Sequence, residues 1–175
     1  SQGATRHGRG AGTFGNAAGT SFYPGKNLGA YGDAGAVITD DAAIAADVRA
    51  LGAHGGTKKY EHRLVGVNSR LDTIQAVVLR AKLRRLPEWN EQRRLAADRY
   101  AELLADVEPV TQPGVLDGNV PVWHLYVVQV DDRDEVLRTL QENGIGAGIH
   151  YPDPIHRTGA FGHLGHGPGS FPVAE

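Results

Sequence analysis

Cysteine and methionine are both absent from this 175-residue chain. Without cysteine there are no disulfides and no cysteine-based zinc site. No apolar run approaches the roughly 20 residues that span a membrane. Neither sign of charge is in excess, because 18 Lys and Arg stand against 20 Asp and Glu. We therefore expect neither a nucleic-acid nor a membrane partner, and a cytoplasmic location.

The remaining composition is that of an ordinary globular protein. Apolar residues make up 41% and charged residues 22%, and the length suits one domain or a little more. Because methionine is absent, Ser1 is not expected to be a natural translation start. We expect the chain to be an internal part of a longer protein.

Glycine is abundant around one lysine. Residues 21–36 read SFYPGKNLGAYGDAGA, and Lys26 lies there among small residues with Pro24 just before the Gly–Lys pair. A lysine in such a turn is a candidate Schiff-base nucleophile, which requires a neutral amine and therefore partial burial or a neighbouring positive charge. Glycine also lets the backbone approach a flat ligand closely. The alternative is a solvated lysine on a surface loop, and these residues alone leave both open.

Spacing excludes one rival interpretation of this segment. A phosphate-binding P-loop requires glycine, four residues, Gly-Lys and then a hydroxyl residue. Here Thr20 stands at the first glycine position and Asn27 at the hydroxyl position. The segment is therefore not a P-loop.

Periodicity and caps predict an α/β layer in the first hundred residues. We expect strands near residues 17–21 and at 34–39, the latter buried, and a helix over 41–51 that begins at Asp40 or Asp41 and ends at Gly52. A long loop should cover 52–68. Helices should follow, capped by Ser69 or Asp72, interrupted at Pro87 and continued over 88–104 with the arginines in solvent.

The remaining third predicts a further α/β unit. Apolar and β-branched residues predict a strand at 122–130. A helix is expected over 133–142, beginning at Asp132 and ending at Asn143–Gly144, and another strand over 145–150. His124 lies within the first predicted strand, and we expect it to be structural.

The lysine segment resembles the cofactor-lysine segment of the DegT/StrS family of sugar aminotransferases. Further blocks resemble that family in the same order, and they read GVNSRLDTIQAVVL (66–79), GIHYPDPIH (148–156) and GPGSFPVAE (167–175). The resemblance implies an α/β fold of the type I pyridoxal phosphate enzymes. Residues 1–68 would form part of the large cofactor-binding domain, 69–106 the long connecting helices, and 107–175 an incomplete small C-terminal α/β domain.

The resemblance also implies roles at the cofactor. Lysine rather than histidine at position 26 is typical of the aminotransferases, so Lys26 would bind pyridoxal 5'-phosphate covalently and then move protons. Ser21 would bind the phosphate, and Asn68 would reach the partner's phosphate across a homodimer. Gln2 would contact the oxygen edge of the ring, although two residues usual in the family after this glutamine are missing. Taken alone, Ser21 suits a turn cap and Asn68 a helix cap.

The implied substrates are a nucleotide-linked keto-sugar and an amino donor such as L-glutamate. His150 and Tyr151 would contact the sugar. Arg70 and Lys58 would suit its diphosphate, or would be surface charges. The motifs resemble enzymes that aminate C3 more than those that aminate C4, and the composition is compatible with natural-product (antibiotic) biosynthesis.

Two alternatives remain in view. A non-catalytic regulatory or structural relative would keep the fold and cofactor without turnover. The histidines at 150, 156, 163 and 166 invite a metal site, but they lie in a Gly/Pro-rich stretch without a carboxylate or cysteine framework beyond Asp153. We therefore expect no metal.

Overall fold

A computed structural model describes residues 2–175 and divides the chain into two compact units. The first comprises the residues up to Val107 together with Gln112–Tyr126, and the second comprises Glu108–Thr111 and Val127–Glu175. These limits differ from those expected at residues 68 and 106, because the long helices and the segment 112–126 both belong to the first unit. How the units correspond to the domains of a larger pyridoxal phosphate enzyme stays a prediction.

The first unit begins with short antiparallel pairings. Strand β1 (Thr5–Arg6) pairs with β2 (Arg9–Gly10) on one side and with β7 (Asn119–Val120) on the other. The sequence predicted no strand at residues 5–10. Two-residue strands are too short to show an alternating apolar pattern, which explains why they were missed.

The next two strands carry the lysine segment between them. Strand β3 (Ala18–Ser21) confirms the prediction near 17–21, and it pairs antiparallel with β4 (Gly35–Ile38), Ser21 opposite Gly35. The predicted burial of β4 is wrong, since all four of its residues are exposed. Within the described residues the sheet has only these two strands.

Helix α1 (Ala42–Gly52) follows β4. Its predicted start is confirmed, because the Asp41 carboxylate accepts hydrogen bonds from the N–H groups of Ala43 and Ile44 at 2.7 and 3.2 Å. The loop predicted over 52–68 instead contains the antiparallel strands β5 (Gly56–Lys58) and β6 (Glu61–His62). Their exposed polar residues gave no periodic signal.

The main helices are α2 (Thr73–Leu83) and α3 (Leu86–Leu103), with Pro87 in the first turn of α3 as predicted. Asp72 occupies the N-cap position of α2, but its side chain makes no capping hydrogen bond. The core lies between these helices and the lysine segment, and consists of Leu28, Ala30, Leu79 and Leu86. The segment after Lys26 is therefore anchored in the core.

The second unit contains helix α4 (Arg133–Glu142) and the 3₁₀ turns Ile155–Arg157 and Gly159–Leu164. Helix α4 and its end at Asn143 are confirmed, whereas Asp132 is left-handed and its side chain does not cap the helix. The strands predicted at 122–130 and 145–150 are wrong. The described residues offer 122–130 only one bridge, Thr111 with Gln129, and β-branched composition makes no strand without a hydrogen-bonded neighbour.

Across residues 2–175, no helix has both the length and the apolar character that crossing a membrane requires.

Candidate functional site

Lys26 lies in a closed turn between β3 and β4. Its N–H donates to the Tyr23 carbonyl at 2.8 Å, and Ala30 N–H donates to Phe22 at 2.7 Å. A Cβ at Gly29 would lie 2.3 Å from the carbonyl oxygen of Pro24, so only glycine fits there. Lys26 itself is half-buried. The turn is thus an anchored one, unlike the solvated surface loop that the sequence left open.

The Lys26 side chain lines a polar pocket of about 190 Å³. Its Nζ lies 3.4 Å from Nε2 of His124. Gln2 borders the same pocket, and its Nε2 donates to Oγ1 of Thr20 at 2.8 Å and to the carbonyl of Ser21 at 2.9 Å. An amine, an amide, hydroxyls and an imidazole therefore converge on one small space.

Ser21 lines this pocket and also caps the turn. Its Oγ accepts a hydrogen bond from the Tyr23 N–H at 3.2 Å. That contact uses an acceptor position of the hydroxyl and leaves its hydrogen for another group. Turn capping and ligand binding are therefore compatible at Ser21.

A buried amide network supports the pocket. Asn27 Nδ2 donates to Oδ1 of Asn90 at 3.1 Å and to the carbonyl of Val122 at 2.7 Å. Asn90 Nδ2 donates to the carbonyl of Gln2 at 2.9 Å. The network joins the lysine turn, helix α3 and the segment that carries His124.

Arg93 supports the same segment. Its Nη1 donates to the carbonyls of Trp123 and His124 at 3.0 and 3.4 Å. The expectation that the α3 arginines face solvent is therefore wrong for Arg93. Sequence reasoning also missed Asn90 and the contact between His124 and Lys26, since these partners lie 63 to 98 residues away from the lysine turn.

Three residues of the first unit that the sequence predicted to bind phosphate groups do not line this pocket within the described residues. Asn68 is exposed and forms an isolated bridge with Ala53. Arg70 is exposed, and Lys58 makes an exposed ion pair with Glu61 at 3.7 Å. Their roles toward a partner subunit or a substrate stay predictions.

His150 and Tyr151 belong to the second unit. Their ring centroids lie 4.9 Å apart, and both border a mainly apolar cavity of about 600 Å³ beside α4. The buried ring of His156 contacts Glu175 at 3.0 Å. Among residues 2–175, no three His, Cys, Asp or Glu side chains are grouped so as to hold a metal ion.

The pocket fits a small aldehyde that carries an anionic group. Lys26 offers the amine, Ser21 a hydroxyl donor, and Gln2 an amide. Asn27 Oδ1 is buried and finds no hydrogen-bond partner within residues 2–175, so a donor on a bound molecule would satisfy it. The volume is below the roughly 300–1,000 Å³ of small-molecule sites, as expected for one wall of a larger site.

A lysine presented in this way is typical of proteins that form a Schiff base with an aldehyde. The whole chain, residues 1–175, matches the DegT/DnrJ/EryC1/StrS aminotransferase family, and the chain belongs to that family. Pyridoxal phosphate is the cofactor that this membership indicates.

Two relatives show the extent of the similarity. The erythromycin biosynthesis sensory transduction protein EryC1 of Saccharopolyspora erythraea is 47% identical over 173 residues, which cover 99% of this chain and 47% of that protein. The dTDP-3-amino-3,4,6-trideoxy-alpha-D-glucose transaminase of Streptomyces venezuelae is 42% identical over 173 residues, covering 99% of this chain and 46% of that protein. The chain thus spans about half the length of the curated relatives it matches.

A solved structure confirms the α/β fold. The crystal structure of S. venezuelae DesV superposes with a TM-score of 0.93 at 42% identity, covering 98% of this chain and 46% of that one. A separate small C-terminal domain is not established by this match and stays a prediction.

Proposed function

We propose that this chain is part of an enzyme that transfers an amino group to a nucleotide-linked keto-sugar with pyridoxal phosphate as cofactor. The observation that carries the proposal is the anchored turn that presents Lys26 Nζ to a polar pocket. The name of the S. venezuelae relative, a transaminase of a dTDP-linked 3-amino sugar, supports a sugar substrate and amination at C3.

Four residues would hold the cofactor. Lys26 would bind it covalently through Nζ, Ser21 would donate its hydroxyl hydrogen to the phosphate, and Gln2 would contact the ring. Asn68 would serve the phosphate site of a partner subunit, which makes the protein a homodimer. When bound, pyridoxal phosphate supplies the electron sink that stabilises negative charge on the carbon of an amino donor.

Lys26 would have a second task once an amino donor has taken its place. Its free amine would accept the proton released by the donor's carbon as a general base, and its ammonium form would give that proton back as a general acid. The anchored turn holds the backbone that carries Lys26, because residues 27–30 are buried. We propose L-glutamate as the donor.

The sugar side of the proposal rests on exposed residues. His150 and Tyr151 would contact the sugar, and Arg70 and Lys58 the diphosphate, since a cationic fork suits phosphate oxygens. Amination at C3 within deoxysugar and antibiotic biosynthesis completes the proposal. The alternative regiochemistry is amination at C4.

Replacing Lys26 tests the reaction. Lys26→Ala and Lys26→Arg in the intact protein should both lose glutamate-dependent turnover and covalent attachment of the cofactor, because neither side chain offers a primary amine. Lys59→Ala, at an exposed lysine, is the matched control and should behave as wild type. Near wild-type turnover by Lys26→Ala would contradict the proposal.

A regulatory relative without turnover is the second candidate, and the name of EryC1 as a sensory transduction protein favours it. Both candidates predict a yellow, cofactor-loaded protein. Only the enzyme predicts that glutamate bleaches the colour by converting the bound cofactor to its amine form. Persistent colour at saturating amounts of several amino donors would favour the regulatory function.

A further inference from the structure

His124 is the side chain that meets the lysine amine. Its Nε2 lies 3.4 Å from Lys26 Nζ, and both residues line the same pocket. We propose that His124 is a positioning residue for Lys26, which accepts a hydrogen bond from Nζ and so directs the amine into the pocket. The inference rests on the proposed function, because it concerns how Lys26 is presented to the cofactor.

The protein fixes both ends of this contact. Asn27 follows Lys26, and its Nδ2 donates to the carbonyl of Val122, two residues before His124, at 2.7 Å. Val122 is 2% exposed, so this link is buried. Arg93 holds the carbonyls of Trp123 and His124 from helix α3. The distance between Lys26 and His124 therefore follows from short connections, of which the link through Val122 is buried.

The contact also determines which imidazole tautomer is needed. In the proposed hydrogen bond Nζ donates and Nε2 accepts, which places the ring hydrogen on Nδ1. His124 is half-buried, and its Nδ1 is fully shielded from solvent. A lysine side chain is flexible, and an acceptor at its tip selects one orientation. Without that acceptor, the amine would sample orientations that point away from the pocket.

The test compares two replacements of His124 in the intact protein. His124→Gln keeps an acceptor oxygen, whereas His124→Leu fills the space without one. His62→Gln, at an exposed histidine of β6, is the matched control. Each cofactor-free protein is mixed with pyridoxal phosphate, reduced with borohydride at timed intervals, and digested. Mass spectrometry then gives the rate of modification at Lys26, and thermal unfolding checks that the variants are folded.

We expect His124→Leu to slow modification of Lys26 about tenfold, because the amine loses the hydrogen bond that orients it into the pocket. His124→Gln should stay within about threefold of wild type, because its amide oxygen replaces the lost acceptor. Modification of Lys26 in His124→Leu at the wild-type rate would overturn the inference, and so would equal slowing in both variants. If wild type itself is not modified at Lys26, the proposed function fails instead.

A second measurement needs no cofactor. Nitrogen-15 chemical shifts of the His124 ring in the cofactor-free protein report the tautomer. We expect the hydrogen on Nδ1 in wild type, and movement toward the Nε2–H form when Lys26→Met removes the donor. A wild-type ring that already carries its hydrogen on Nε2 would contradict the proposed hydrogen bond.

Discussion

The amide of Asn27 donates a hydrogen bond to Oδ1 of Asn90 at 3.1 Å, and both side chains are buried. The two residues lie 63 positions apart, one after the pocket lysine and the other on helix α3. Asn90 also donates to the carbonyl of Gln2 at 2.9 Å. The pair therefore connects the helix to two segments that border the pocket.

Asn90→Ala should lower the free energy of unfolding by about 2 kcal/mol, because it removes the donor to the Gln2 carbonyl and the Asn90 acceptor of the Asn27 amide, which keeps only its bond to Val122. Urea denaturation of the intact protein measures the change. Gln92→Ala, at an exposed position of the same helix, should change stability by less than about 0.5 kcal/mol. Equal stability of the two variants would show that the network contributes nothing.

Gly29→Ala should disturb the lysine turn. The new Cβ would lie 2.3 Å from the Pro24 carbonyl oxygen, a backbone atom that cannot move without the turn. We expect a loss of about 1–3 kcal/mol in unfolding free energy. Gly25→Ala is the control within the same turn, because its Cβ would meet only the Tyr23 ring at 3.8 Å. The idea fails if both variants unfold at the same urea concentration.

The helices were the predictable part of the fold. Asp41, Pro87 and Asn143–Gly144 mark helix ends through local chemistry, and the structure confirms each of these positions. Strand formation depends on a distant partner, which local sequence does not contain. The segment 122–130 has strand composition, yet within the described residues its one bridge is to Thr111.

The candidate site divides in the same way. Lys26 and Ser21 lie five residues apart in the segment 21–36, so their closeness in the structure was predictable. His124 and Asn90 are distant in sequence from the lysine turn and come near it only when the chain folds. A histidine within an apolar run does not indicate such a contact. The predicted contributions of Asn68, His150 and Tyr151 depend on arrangements beyond a single unit and stay predictions.

Mixing two inactive variants tests Asn68. If Asn68 completes the partner's phosphate site, a heterodimer of Lys26→Ala and Asn68→Ala chains contains one intact site and one doubly defective site. The mixture should recover up to about a quarter of wild-type activity after random chain exchange, since half of the dimers are mixed and each has one good site. Subunit exchange must be verified by mass spectrometry. No recovery after full exchange would place Asn68 in its own chain's site or in a structural role.

The acid sensitivity of the segment around residues 167–175 should depend on Glu175. Its carboxylate accepts hydrogen bonds from the N–H groups of Gly169 at 2.7 Å and Phe171 at 3.2 Å, and it contacts His156 at 3.0 Å. These contacts lower the pKa of Glu175 from its ordinary 4.5, and the hydrogen bond from Gly169 has the largest effect.

Because the pKa of Glu175 is lowered in the folded state, its carboxylate stabilises the folded segment at pH values above the ordinary pKa. That stabilisation is lost as the pH falls through the lowered pKa. Hydrogen exchange should therefore show the protection of the Gly169 amide falling below pH 4.5 in wild type. In Glu175→Gln the protection of the Gly169 amide should be weaker and should not change below pH 4.5. An identical pH profile in both proteins would contradict the prediction.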